Sequence, residues 1–225
     1  MVLFRDDFDA PEPILLQNRD GWELVGVAGY SVAITTSGGA LGFLTVSGSG
    51  VDTAVRATQE LAADRVVSAF QSHTSSTQPN MVAVRLQDKD NFIGFRHRTA
   101  SSGTVELWQR SSGSFTLLGS ATGQGATGEI SVSVESDVFD VTFNGGIIFT
   151  VSSAFIADSA YAGVVGRGGS SNWLDWFEVS DDSGAEEPFA LRHNPRTNKV
   201  IPVLSSPTVT DIGANCVRPR VSKGF

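Results

Sequence analysis

Apolar and polar positions alternate along most of this chain with a period of two. The plainest case is Ile130-Ser131-Val132-Ser133-Val134-Glu135, the pattern of a strand with one buried and one wet face. The same reading places strands near 3–8, 30–35, 41–47, 52–58, 65–72, 81–87, 92–98, 105–110, 115–118, 130–135, 139–143, 147–151, 161–167 and 173–179. Helical turns are expected only near 58–63 and 154–157. Short strands at this density, joined by Gly-rich turns, predict an all-β, two-sheet antiparallel sandwich or jelly roll. One hairpin is legible to its register. With Lys89-Asp90 as a two-residue turn, Leu86 faces Ile93, Val84 faces Phe95 and Val82 faces His97 on the core side. Val105 and Leu107 of the next strand join that side. The opposite face then carries Arg85, Arg96, Glu106 and Trp108, with Gly94 leaving a gap between Arg85 and Trp108.

Composition sharpens this picture. The chain has 225 residues, 40% of them apolar and 18% charged, with four Trp and 14 Phe, enough for a sizeable core. Its 24 Gly and two Met favour strands and tight turns over helix. The single cysteine, Cys216, has no internal partner, so the fold is expected to stand on burial alone and to suit a reducing compartment. The first residues have neither a basic nor an apolar signal region, and no run approaches the ~20 apolar residues that span a bilayer, so neither a leader nor membrane insertion is expected.

Charge divides the chain in two. Residues 1–187 hold 10 Lys and Arg against 23 Asp and Glu, a net of −13, whereas 188–225 hold six against one, a net of +5; together these give the overall −8. The negative field argues against a nucleic-acid partner. The reading is a jelly-roll domain over 1–180, a linker over 181–188 and a basic arm over 189–225, since five of the eight prolines lie from Pro188 onward. Prolines 195, 202, 207 and 219 oppose an independent fold, yet the arm is too apolar for a solvated linker. It is expected to lie extended on a partner, with Arg192, Arg196, Lys199, Arg218 and Arg220 meeting acidic groups; the alternative is that it packs back on the chain's own acidic body. Val200, Ile201, Val203, Leu204, Val209, Ile212 and Phe225 would fill pockets.

Three segments resemble the concanavalin A-like jelly rolls, in particular the laminin-G-like and glucanase-like branches. Val82-Ala83-Val84-Arg85-Leu86-Gln87-Asp88 with Asn91-Phe92-Ile93-Gly94-Phe95 looks like the family's paired central strands. Ile130 to Val134 followed by Phe139-Asp140-Val141-Thr142-Phe143-Asn144-Gly145 resembles its strand-hairpin unit. Ala162-Gly163-Val164-Val165-Gly166 and Leu174-Asp175-Trp176-Phe177-Glu178-Val179 resemble its closing strands. The resemblance covers most of 1–180 and implies the fold; the superfold hosts lectins, glycosidases and structural modules alike. The arm is similar to terminal segments of tailed-bacteriophage virion proteins.

Three kinds of chemistry are then open. Glucanases of this superfold use Glu-x-Asp-x-x-Glu on one strand, and Glu135-Ser136-Asp137-Val138-Phe139-Asp140 matches in part. It ends in Asp and spans a turn, and without a bulge Asp140 is expected on the opposite face from Glu135, so no catalytic residue is assigned. Arg85, Arg96, Glu106 and Trp108 have the residue types that hold a sugar, and equally those of a cross-strand ion pair beside a half-buried Trp. Asp6, Asp7 and Asp175, with Asp9, are weak calcium candidates if the first and last strands lie side by side, as they do in the resembled family; no metal and no cofactor is assigned. His73, His97 and His193 are too scattered for a zinc site or a triad.

The expectation from sequence is a non-enzymatic virion structural protein, a bacteriophage capsid decoration or cement subunit assembled as an oligomer in the host bacterial cytoplasm. Residues 189–225 would anchor it to other virion subunits, a major capsid protein or a tail component. The alternative is a carbohydrate-binding module of a tail fibre or host-recognition appendage that meets surface glycans. A glucanase-type glycoside hydrolase stands third.

Overall fold

The structure, a computed structural model, describes residues 1–9, 14–26, 32–34, 41–42, 44–45, 52–72, 81–98, 103–167, 173–181, 191–194 and 199–202. In chain order the strands are β1 (Val2–Asp6), β2 (Ile14–Leu15), β3 (Trp22–Leu24), β4 (Val32–Ile34), β5 (Leu41–Gly42), β6 (Leu44–Thr45) and β7 (Asp52–Ala57). Next come β8 (Arg65–Ser72), β9 (Met81–Asp88), β10 (Asn91–Arg98), β11 (Thr104–Ser111), β12 (Ser114–Thr122) and β13 (Thr127–Glu135). The last are β14 (Val138–Phe143), β15 (Gly146–Ser152), β16 (Gly163–Arg167), β17 (Trp173–Asp181), β18 (Leu191–Asn194) and β19 (Lys199–Pro202). Neither expected helical turn forms; a 3-10 turn occurs instead at Leu16–Asn18.

Period-two alternation becomes two large antiparallel sheets. One, of seven strands, runs β1-β17-β8-β13-β14-β15, with β5 also pairing with β17. The other runs β12-β11-β10-β9-β16-β7-β3, also seven strands. A small sheet, β2-β4-β6, accompanies them. The facing sides of the large sheets share one core. Val132, Val134, Phe139, Val141, Phe177 and Val179 of the first sheet meet Val82, Val84, Ile93, Phe95, Val105 and Leu107 of the second. Removing such side chains from water at about 25 cal/mol per Å² of apolar area is what holds the two sheets together. The chain is thus an all-β jelly-roll sandwich, as its periodicity predicts.

The β9-β10 hairpin departs from the predicted register. Lys89-Asp90 does form the turn, with Asn91 opposite Asp88. Register shifts then set Leu86 against Phe92, Arg85 against Ile93, Ala83 against Gly94 and Val82 against Phe95. Each extra residue on β9 reverses the facing of the residues beyond it, the usual effect of a β-bulge. Between the two bulges Leu86 therefore turns to the outer face and Arg85 turns inward, contrary to the sequence expectation for both. Val82 regains the core.

The β13-β14 hairpin corrects a second expectation. Its two-residue turn, Ser136-Asp137, pairs Glu135 with Val138 and Ser133 with Asp140. Asp140 and Glu135 consequently share the outer face of the first sheet without a bulge. That face is on the far side of the sandwich from the outer face of the second sheet. The next hairpin turns at Asn144-Gly145, where φ values of 51° and 84° are the left-handed pair that an Asn-Gly turn supplies.

The chain divides into two compact units, Met1–Gly184 and Ala185–Phe225. In the second, β18 and β19 form an antiparallel hairpin with Leu191 opposite Pro202 and Arg192 opposite Ile201. The segment expected to be extended thus holds a local hairpin. Pro195 follows the last residue of β18 and Pro202 is the last of β19, so neither interrupts the ladder. Of the proposed anchoring residues, Arg192, Lys199, Val200 and Ile201 have their backbone in this hairpin. Arg196, Val203, Leu204, Val209, Ile212, Arg218, Arg220 and Phe225 lie outside the described residues.

Candidate functional site

The outer face of the second sheet gathers the side chains that β10 and β11 present every second residue. Arg96 lies opposite Glu106, Gly94 opposite Trp108 and Phe92 opposite Arg110. Glu106 is the hub. Its Oε2 accepts from Arg96 Nε at 2.7 Å and from Trp108 Nε1 at 2.8 Å, and its Oε1 accepts from Arg98 Nη1 at 3.0 Å. Burial raises the Glu106 carboxyl, but the bonds from Trp108 and Arg96 and the adjacent guanidinium charge outweigh it, so the group sits below the ordinary glutamate range. The indole is fixed from two further sides. The Arg96 guanidinium lies 5.2 Å from its ring centre, and Phe115 of β12 packs edge-on at 6.1 Å.

Next to this cluster is an apolar floor: Ala54, Met81, Ala83, Leu86, Phe92 and Val165, packed against Trp108 and Val25. Arg110 crosses it. Its Nη1 meets Asp52 Oδ2 at 2.6 Å and its Nη2 meets Asp90 Oδ1 at 3.2 Å, while its guanidinium lies over Phe115 at 4.8 Å. Asp52 is on β7, four places from β11 in the sheet order. In a flat sheet four places are about 19 Å, too far for one arginine and one aspartate to bridge. The contact therefore requires the second sheet to curl with this face on the inside, so the Glu106 cluster lines a concave surface.

Three of the four residues singled out from sequence, Arg96, Glu106 and Trp108, come together here. Arg85 does not. It is fully buried on the inner side, where its Nη1 donates to the Ser153 and Phe155 carbonyls at 3.1 and 3.3 Å and its Nη2 donates to the Ser136 carbonyl. Phe139 lies 4.9 Å below the guanidinium and Asp137 is 3.8 Å away. Arg85 thus closes the end of the sandwich and is removed from the candidate site. Sequence reading missed Arg98, Arg110 and Phe115, although Arg98 and Arg110 stand two residues from Arg96 and Trp108 and so on their face. Nothing along the chain signals Asp52, whose approach depends on curl.

The calcium candidates are otherwise engaged. β1 does pair with β17. Asp6, however, accepts from Phe8 N at 2.7 Å, Trp22 Nε1 at 2.8 Å and Arg19 Nη2 at 2.8 Å, which ties the first strand to the 3-10 turn and β3. Asp7 is paired with Arg5 at 2.7 Å, and Asp175 on β17 is also partnered. Among the described residues no group of three or more His, Cys, Asp or Glu has an arrangement that could hold a metal. His97 is buried beside Phe143, 5.4 Å between ring centres, and burial lowers its pKa. His73 and His193 have no described side chains.

No family model matches the chain, nor does any curated protein sequence. Solved structures do match its fold. A carbohydrate-binding module, CBM66, from Bacillus subtilis superposes with a TM-score of 0.51 at 11% identity, over 70% of this chain and 93% of that one. A β-1,3-glucanase from Mycobacterium marinum gives a TM-score of 0.51 at 12% identity, over 80% of this chain and 99% of that one. A xylan β-1,4-xylosidase from Bacillus halodurans C-125 gives 0.53 at 13%, over 79% of this chain; there the match spans only 39% of the longer protein. At these identities the likeness shows the jelly-roll sandwich fold alone, which that binding module and those hydrolases share.

Proposed function

We propose that the concave outer face of the second sheet binds a carbohydrate without cleaving it. The observation that carries this is the Glu106 cluster, in which one indole, two guanidiniums and one carboxylate are locked together on a single face. Sugars are held by an aromatic ring against their C–H face and by charge-assisted hydrogen bonds to hydroxyls, and both need groups fixed in advance. The fold shared with a carbohydrate-binding module supports the reading. Hydrolysis is disfavoured by the same chemistry. A general acid needs a raised pKa, whereas Glu106 is lowered, and Glu135 and Asp140 stand on the other side of the sandwich. The test is titration calorimetry of the full chain against a polysaccharide panel that includes xylan and β-1,3-glucan. Binding is expected to at least one member and to fall at least tenfold in Trp108→Ala, about 1.4 kcal/mol. Absence of binding across the panel, or binding indifferent to Trp108→Ala, overturns the reading.

For residues 188–225 the charge contrast favours a tether. A +5 segment after a −13 body fits attachment of the module to an acidic assembly, of which a virion is the case its sequence resembles. A chain stopped at Glu187 is expected to keep its fold and its glycan binding while failing to join particles.

A further inference from the structure

The two large sheets end side by side in β12 and β15. β12 closes one sheet and β15 the other, and neither has a second strand partner among the described residues. They pack so closely that a Cβ at Gly119 would lie 2.8 Å from the Val151 side chain and 2.9 Å from that of Phe149. Neither strand contains a charge or a proline: they read SFTLLGSAT and GIIFTVS. The neutrality extends well beyond them, from Ser111 to Gly128 and from Val141 to Ala157. Free edges of soluble sandwiches are usually guarded by lysine, proline or an inward charge. Here each strand has one bulge and, among the described residues, no other guard. Ser114 to Leu117 are exposed in succession, so both faces of that strand segment and its free edge are open. Phe115 is 37%, Leu117 45% and Ile147 66% exposed.

We propose that this side is the contact surface for a second copy of the chain, joined edge to edge about a two-fold axis. Charge selects the occupant. Residues 1–187 carry a net −13, so two such bodies repel wherever their carboxylates face each other; neither β12 nor β15 contributes one, and the Asp140 carboxylate on the adjoining β14 is bound by Thr150 at 2.5 Å. A basic partner would find no acid on either strand, and Asp140 beside them is already bound by Thr150. An antiparallel pairing of β12 with its own copy is self-complementary, as a two-fold contact must be. The strip is about 30 Å long for nine residues and about 20 Å wide across both sheets. That gives roughly 600 Å² per partner, or about 1,200 Å² in total, at the lower bound of specific interfaces.

Sedimentation velocity on the full chain tests this. A species of twice the 23.8 kDa chain mass is expected as concentration rises. Leu117→Lys and Ile147→Lys should each weaken it at least tenfold while leaving the circular dichroism unchanged. On the unaltered protein, amide exchange at Ser114–Thr122 should slow with concentration, which needs no variant to fold. A monomer up to about 200 μM, well above micromolar affinities, overturns the proposal. So does a dimer indifferent to both lysines, or one whose concentration-dependent protection falls on 185–225 instead.

Discussion

Two groups of arginines in this sandwich are held by different kinds of oxygen. Arg96, Arg98 and Arg110, on the concave face, meet the carboxylates of Glu106, Asp52 and Asp90. Arg65 and Arg85, at the end of the sandwich, are bound chiefly by main-chain carbonyls: Ala63 and Ser159 for Arg65, and Ser136, Ser153 and Phe155 for Arg85. Burial, and then the charge of Arg85, bring the Arg65 guanidinium down from its ordinary value to about 10. The contrast separates two uses of one side chain. Loop carbonyls at the end of the sandwich consume a buried guanidinium in fastening loops, here 153–159 and the Ser136 turn. Carboxylates on a curved face hold it in a set orientation with solvent still within reach, where a ligand can meet it.

The sharpest way to break this contrast is Arg85→Met. It leaves three part-buried carbonyls without their donor, and a loss of about 3 kcal/mol in denaturant unfolding is expected, with glycan affinity retained in the folded fraction. A loss below about 1 kcal/mol would remove Arg85 from its fastening role. Asp52→Asn comes next. Arg110 and Asp52 side chains are only 9% and 11% exposed, and the amide keeps an acceptor oxygen but loses the charge. About 1–2 kcal/mol of stability should go, together with weaker glycan binding as the curl relaxes. Unchanged binding would show that the curl does not depend on this pair.

The smallest effect expected is that of Glu106→Gln, about 1 kcal/mol because the amide keeps one acceptor oxygen for the cluster, and its signature is in pH. Because the folded carboxyl titrates below the unfolded one, its contribution is complete above the unfolded glutamate range and is lost as pH falls through the lowered folded value. Acid unfolding curves of wild type and Glu106→Gln should therefore converge toward low pH. Parallel curves throughout would mean that the carboxylate adds nothing to the cluster.

Much of the fold is legible along the chain because local alternation is a local property. Ile130 to Glu135 and the Lys89-Asp90 and Asn144-Gly145 turns could be assigned from neighbours alone. Strands lacking a long alternating run escaped notice. β3 has three residues, and the β18-β19 hairpin hides behind prolines that happen to fall at strand ends. The candidate site was legible only where strands keep register. Arg96, Glu106 and Trp108 are related by plain two-residue steps and one uninterrupted pairing, that of β10 with β11. Arg85 lies between two bulges, and no residue type at Gln87 or Val84 announces them.

Readable along the chain alone are the all-β class, the core faces of the regular strands, the acidic body with its basic segment, and three members of the Glu106 cluster. Tertiary structure alone decided which way Arg85 points, that Asp52 reaches Arg110, and that two uncharged strands close their sheets on the same side. The first set rests on alternation and charge, which are properties of neighbours in sequence. The second depends on bulges, sheet curl and strand order, through which residues far apart in the chain settle one another's positions.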